Sequence, residues 1–88
     1  MAWYRKKPVS VEARQLSPES AAELTNWVND RGGNATLAIH ADSHVAIEID
    51  TLEGTMTAGV TDWIIHGTHG EFYPIKNEVF TDNYEMVH

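Results

Sequence analysis

Val9, Val11 and Ala13 alternate with Ser10, Glu12 and Arg14, the two-residue rhythm of a half-buried strand. This predicts a first strand from about Trp3 to Gln15. Pro8 lacks a backbone donor, so near it the strand pairs fully on one side only. The rhythm then changes. Ala21, Leu24, Trp27 and Val28 share one face at helical spacing. Ser17 suits the N-cap, Pro18 the first helical position and Glu19 the positive first turn. Gly32 and Gly33 follow Arg31 and supply the left-handed stop. The stripe is a core face.

Strand rhythm returns after the diglycine. With Ala41-Asp42-Ser43 as a three-residue loop, Ile39 faces Val45, Leu37 faces Ile47 and Ala35 faces Ile49. His40 pairs with His44, Ala38 with Ala46 and Thr36 with Glu48 on the other face. All large apolar side chains then share one side, which a one-residue slip would spoil. A second turn is expected at Glu53-Gly54, setting Thr51 opposite Met56, Ile49 opposite Ala58 and Ile47 opposite Val60. Asp62-Trp63-Ile64-Ile65-His66 is apolar on both faces, as a central strand is. A Thr68-His69-Gly70 loop with a left-handed Gly70 sets Trp63 opposite Ile75 and Ile65 opposite Tyr73. Pro74 marks a strand end or edge. The tail from Lys76 to His88 carries Val79 and Phe80 in a short helical turn, and Tyr84 and Met86 in a last short strand. The expected fold is α+β, in the order β-α-β-β-β-β-β. One helix packs on a curled antiparallel sheet of five to six strands, with a small open barrel as its most curled form.

Length makes this one domain, residues 1–88. A chain so short buries only roughly 60–65 % of its unfolded surface, so a partner subunit would help and a homo-oligomer is expected. There is no cysteine, hence no disulfide, thiolate metal site or cysteine nucleophile. No apolar run approaches the ~20 residues of a membrane span, and no signal-peptide core follows the N-terminus, so a cytoplasmic protein without a membrane role is expected. Charge is unevenly placed. Residues 1–32 hold five bases against four acids, net +1; residues 33–88 hold Lys76 alone against nine acids, net −8. That surface repels phosphate backbones and disfavours direct nucleic-acid binding. The Arg5-Lys6-Lys7 run before Pro8 reads as a guard against edge-to-edge strand pairing.

Candidate chemistry is sparse. His40 and His44 flank Asp42, and His66 and His69 lie near Glu71, but neither spacing is a metal-site pattern; turn histidines are the simpler account, and no metal or cofactor is expected. No serine stands in a nucleophile elbow and no glycine loop cradles phosphate. Gly67-Thr68-His69-Gly70 has the glycine spacing of the KH-domain clamp, but it joins strands in an acidic half. Asp62 and Glu71 would need to meet to act as an acid–base pair. The eight aromatics are many for a thin core, so some are exposed and suit a protein or small-ligand surface. The Trp63–Tyr73 hairpin is where such a surface belongs, with Trp63, Glu71 and Tyr73 on it and Lys76 at its rim. The alternative for these residues is structural: Trp63 as core anchor and Glu71 as a solvated turn residue.

Three stretches carry a resemblance. They are Tyr4-Arg5-Lys6-Lys7-Pro8-Val9 with Val11-Glu12-Ala13; Thr51-Leu52-Glu53-Gly54-Thr55-Met56-Thr57-Ala58; and Asp62-Trp63-Ile64-Ile65 with Gly67, Gly70-Glu71-Phe72-Tyr73-Pro74, Lys76, Phe80 and Tyr84. Together they resemble a family of small phage- and prophage-encoded proteins. Val60-Thr61 stands where a Pro-Gly pair is usual, Ile75 where a cysteine is common, and basic residues common near His66 and His69 are missing. The resemblance implies expression inside a bacterial host and implies no reaction. The expected function is a non-enzymatic accessory module that binds a host protein or small molecule in the host cytoplasm. An acidic DNA mimic directed at a host defence protein, motivated by the −8, is the alternative. A small hydrolase or isomerase using Asp62, Glu71 and a histidine ranks last.

Overall fold

The computed structural model describes residues 1–87, so the final residue of the expected tail lies outside them. Eight elements follow in order: β1 (Glu12–Gln15), α1 (Ala21–Asp30), β2 (Ala35–Ile39), β3 (Val45–Thr51), β4 (Gly54–Gly59), β5 (Trp63–His66), β6 (Phe72–Ile75) and α2 (Asn77–Asn83). The α+β class and the antiparallel pairing are as expected. The single curled sheet is not. The strands form two three-stranded sheets, β1-β5-β6 and β2-β3-β4, with no closed barrel, and a second helix is present.

The split has a local cause. Between β4 and β5 the chain turns sharply, with Thr61 at φ +78° and the Asp62 N–H donating to the Gly59 carbonyl at 3.0 Å. β1 then takes the open side of β5, while β6 takes the other, leaving β5 no edge for β4. The junction is extended by Leu16, whose N–H donates to Asp62 O at 2.9 Å and whose carbonyl accepts Thr61 N–H at 3.0 Å.

Two hairpins have the expected register. Leu37 pairs with Ile47 and Ala35 with Ile49; Trp63 pairs with Ile75 and Ile65 with Tyr73. Gly70 is left-handed at φ +82°, β5 is central and β6, with Pro74, is an edge. The β3–β4 turn falls one residue earlier than expected, at Leu52-Glu53, which shifts the pairing by two residues, so Ile49 pairs with Met56 and Ile47 with Ala58. A two-residue shift leaves each side chain on its face. Thr51 stabilises the earlier turn: its Oγ1 accepts the Glu53 N–H at 3.1 Å and donates to the Gly54 carbonyl at 2.7 Å.

The first strand is shorter than the rhythm of Val9 and Val11 predicts, and residues 1–11 form no strand. β5 offers only four residues for pairing, so β1 can extend no further. Arg5-Lys6-Lys7 therefore guards no strand edge. The first helix begins at Ala21, not beside Ser17, because Ser17 and Ser20 form a turn of their own: Ser20 N–H reaches Ser17 Oγ at 3.2 Å and Ser17 N–H reaches Ser20 Oγ at 3.0 Å. At the far end Gly33 N–H bonds Val28 O and Gly32 N–H bonds Asn29 O, a Schellman stop with Gly32 at φ +88°. Tyr84 to Val87 form no strand.

The main core lies between α1, sheet β2-β3-β4 and the inner face of β1-β5-β6, with Leu16, Leu24, Val28, Ile47, Ile49, Ala58, Ile64 and Phe72 in one buried cluster. Trp27 meets Phe72 edge-on at 5.3 Å, and the Arg14 guanidinium lies 4.5 Å from the Trp27 ring centre. Ile65 is fully buried on the opposite face of β5, so that face carries apolar cover of its own.

Candidate functional site

Alternation along β5 and β6 puts Trp63, Ile65, Glu71, Tyr73 and Ile75 on the outer face of β1-β5-β6. α2 lies against this face through aromatic rings. Trp63 and Phe80 stack at 3.9 Å with planes 10° apart, and Phe80 and Tyr84 continue the stack at 5.0 Å and 8°. The spacing of Phe80 and Tyr84 is i, i+4, which brings them to one side of a helix. The Trp63 Nε1–H donates to Asn77 Oδ1 at 2.9 Å and pins the start of α2 to β5. That bond replaces a cap, since Lys76 at the N-cap position makes no side-chain cap bond.

The segment before β1 runs beside this stack and leaves a groove of about 550 Å³ between them. Val9 and Val11 line it from the segment before β1, Trp63 from β5, and Phe80, Tyr84 and Met86 from α2 and the chain after it. Tyr84 also borders a hollow of about 310 Å³, lined by Lys6, Lys7, Gly67, Glu71 and Tyr73. There burial pushes the Tyr73 hydroxyl up to about 12, helped by the neighbouring Tyr84 hydroxyl and the Glu71 carboxylate. Tyr73 is therefore a neutral hydrogen-bonding group at physiological pH.

The four residues expected on this surface separate. Trp63 and Tyr73 line the two depressions. Glu71 borders the second, but its Oε1 also accepts the His69 N–H at 3.0 Å, so it braces the hairpin loop. Lys76 is not at the rim. Its Nζ sits 3.2 Å from Asp62 Oδ2, and that same oxygen accepts the Gly59 N–H at 2.8 Å. The Lys76 side chain thus reaches from the start of α2 to the β4–β5 turn. Val9, Val11, Phe80 and Tyr84 were not singled out as groove residues; the i, i+4 spacing was the available signal for the last two.

The remaining chemistry is dispersed. Asp62 lies beside Lys76 and Glu71 beside Gly67, at opposite ends of the hairpin, about 16 Å apart by strand rise. His44 Nδ1 is 3.1 Å from Asp42 Oδ2 on an exposed tip, and His66 stacks on Phe72 at 4.2 Å. Among the described residues no three His, Asp or Glu side chains are placed to hold a metal ion. The Arg14 guanidinium, bonded to Glu12 at 2.8 Å, holds the Glu12 carboxyl below its ordinary range against a smaller opposing effect of burial. No described helix is long and apolar enough to cross a membrane. No family model, curated protein or solved structure matches the chain.

Proposed function

We propose that this protein is a non-enzymatic binding module and that the groove over Trp63, Phe80 and Tyr84 receives its ligand. The observation that carries this is the stack of three aromatic rings lining the groove. Because the stacked rings cover one another's faces, they present mainly their edges to the groove; ring edges beside aliphatic walls suit an apolar side chain or a ring packed edge-on, and few polar groups fix its orientation. With the resemblance to phage-encoded proteins, the partner is a host protein or small molecule in the bacterial cytoplasm. Nothing in the placement of the acids favours the DNA-mimic alternative. They lie on the outer side of β3, in three hairpin loops and along α2, and Asp62 is buried in an ion pair.

The test uses N-phenyl-1-naphthylamine, a neutral planar fluorophore, followed by capture from bacterial lysate. The expected result is saturable one-to-one binding, weakened about tenfold by Tyr84→Ala and blocked by Val9→Trp, which fills the groove from an exposed position. Lys76→Ala should leave it unchanged. A captured partner should be lost with Val9→Trp. Equal binding by all variants, each with native circular dichroism, would overturn the assignment.

A further inference from the structure

A different surface carries a second inference. Residues 1–7 hold three of the six basic residues of the chain and no acid. They form no strand or helix, and Trp3 and Tyr4 are 92 % and 93 % exposed. This is an arm with two aromatic rings and three cations, none of which pairs with an acid among the described residues. The body offers the complement. A cleft of about 370 Å³ opens between the β3–β4 turn and the start of β6, with Leu52, Met56 and Pro74 as its apolar surface and Glu53 and Glu71 on its flanks. Leu52 is fully exposed, and no lysine or arginine lies within salt-bridge distance of either glutamate among the described residues.

We propose that the arm of one copy docks in this cleft of a second copy, in a reciprocal exchange that makes a two-fold dimer. Three features favour a second copy as the occupant. The charges match, Arg5, Lys6 and Lys7 against Glu53 and Glu71 within a half of net charge −8. The root of the arm and the cleft are neighbours, because Glu71 and Tyr73 border both the hollow under Lys6 and Lys7 and the cleft itself. A two-fold axis near that edge brings each arm to the other copy's cleft over a short reach, and each contact is made twice. The area is adequate. Two aromatic side chains bury roughly 350 Å² per arm, so two arms and the surfaces they cover remove about 1,400 Å², within the range of stable interfaces.

Sedimentation of the full chain from micromolar to submillimolar concentration tests this, with photocrosslinking from p-benzoylphenylalanine substituted for Trp3. A dimer is expected, weakened at high salt. Trp3→Ser with Tyr4→Ser should weaken association at least about tenfold. Glu53→Lys and Arg5→Glu should each weaken it, and the two together should recover part of the loss. The crosslink should join two chains and map to residues 51–56. Tyr84→Ala should leave dimerisation intact, so failure of the groove assignment and failure of the exchange are separable. A monomer at every concentration overturns the proposal. So does a dimer indifferent to the arm variants, a crosslink to another surface, or a crosslink within one chain showing that the arm docks on its own cleft.

Discussion

Among the described residues Asp62 is the one buried charged residue, and two different effects could make it matter. Its Oδ2 accepts the Gly59 N–H at 2.8 Å, closing the turn at which the two sheets separate. The same oxygen meets Lys76 Nζ at 3.2 Å. The Asp62 side chain is 6 % exposed and that of Lys76 is 71 % exposed, so the ammonium sits in water and the pair resembles a surface ion pair, worth about 0–1 kcal/mol. The backbone bond to a buried carboxylate is worth more, about 1.5–3 kcal/mol. Asp62→Ala removes both and should cost about 2–3 kcal/mol. Lys76→Ala removes only the ion pair and should cost no more than about 0.5–1 kcal/mol. Asp62→Asn retains a carbonyl oxygen for the Gly59 N–H and should fall between them. Urea unfolding followed by circular dichroism measures all three, with unchanged m-values showing that the midpoint shifts report stability. If Lys76→Ala costs as much as Asp62→Ala, the ion pair is the dominant effect and the turn assignment fails.

Three further outcomes follow from local geometry. A methyl group on Gly33 would lie 2.5 Å from Val28 Cγ1 and 2.8 Å from Phe72 Cδ2, so Gly33→Ala should cost about 1–3 kcal/mol in thermal or urea unfolding, more than Gly32→Ala, where the space is open and only the left-handed φ is penalised; the reverse order would show that the crowding is readily relieved. Thr61 is a β-branched residue at φ +78° whose backbone N–H and carbonyl make the contacts, so Thr61→Gly should keep them and stabilise the protein by about 1 kcal/mol net of the glycine's added unfolded-state entropy; a destabilised variant would mean that the threonine side chain contributes. Tyr73 titrates at about 12 when folded against about 10 when unfolded, so the native state holds that proton more tightly; the resulting stability is intact below about pH 10 and is lost as pH rises toward 12. Tyr73→Phe should flatten the decline of the urea midpoint across that window, and an unaltered slope would contradict the assignment.

Much of the fold was legible because loop chemistry and side-chain period agree. In the β5–β6 hairpin, Gly70 can occupy only a narrow set of turn positions, and the apolar pairs Trp63–Ile75 and Ile65–Tyr73 fit the same loop. In the β3–β4 hairpin the same logic misplaced the turn by one residue and hence the pairing by two. The glycine was expected inside the loop, whereas Gly54 is the first residue after it, left-handed at φ +107°. The long-range pairing was hidden for a different reason. Val9 and Val11 have strand rhythm, but a strand exists only where a partner offers free backbone groups, and β5 offers four residues. Whether β5 pairs with β4 or β1 depends on Thr61 adopting a conformation that threonine rarely takes, which neither rhythm nor propensity announces. Of the candidate site, alternation made legible that Trp63 and Tyr73 share one face, while the ion pair of Lys76 could be read only from the buried position of Asp62.

The location of the groove follows from a conflict within β5. Its residues are apolar on both faces, yet the inner face alone meets the main core. The outer face needs a cover, and little chain remains to make one. α2 has seven residues, none of them buried, and carries Thr81, Asp82 and Asn83 in a helix that no cap side chain secures. It is held by the Trp63–Asn77 bond and by ring stacking on Phe80, both of which come from β5. The segment before β1 is the other half of the cover, and it is not tied into the sheet as a strand. Two short pieces that contact the aromatic stack through a few side chains do not close over it, whereas the main core is closed by α1 and two sheets. The parts of a small protein with the fewest buried contacts are also the cheapest to displace. On the proposed reading, a ligand seated against Trp63, Phe80 and Tyr84 would add to the apolar packing over β5 and leave the core beneath it undisturbed.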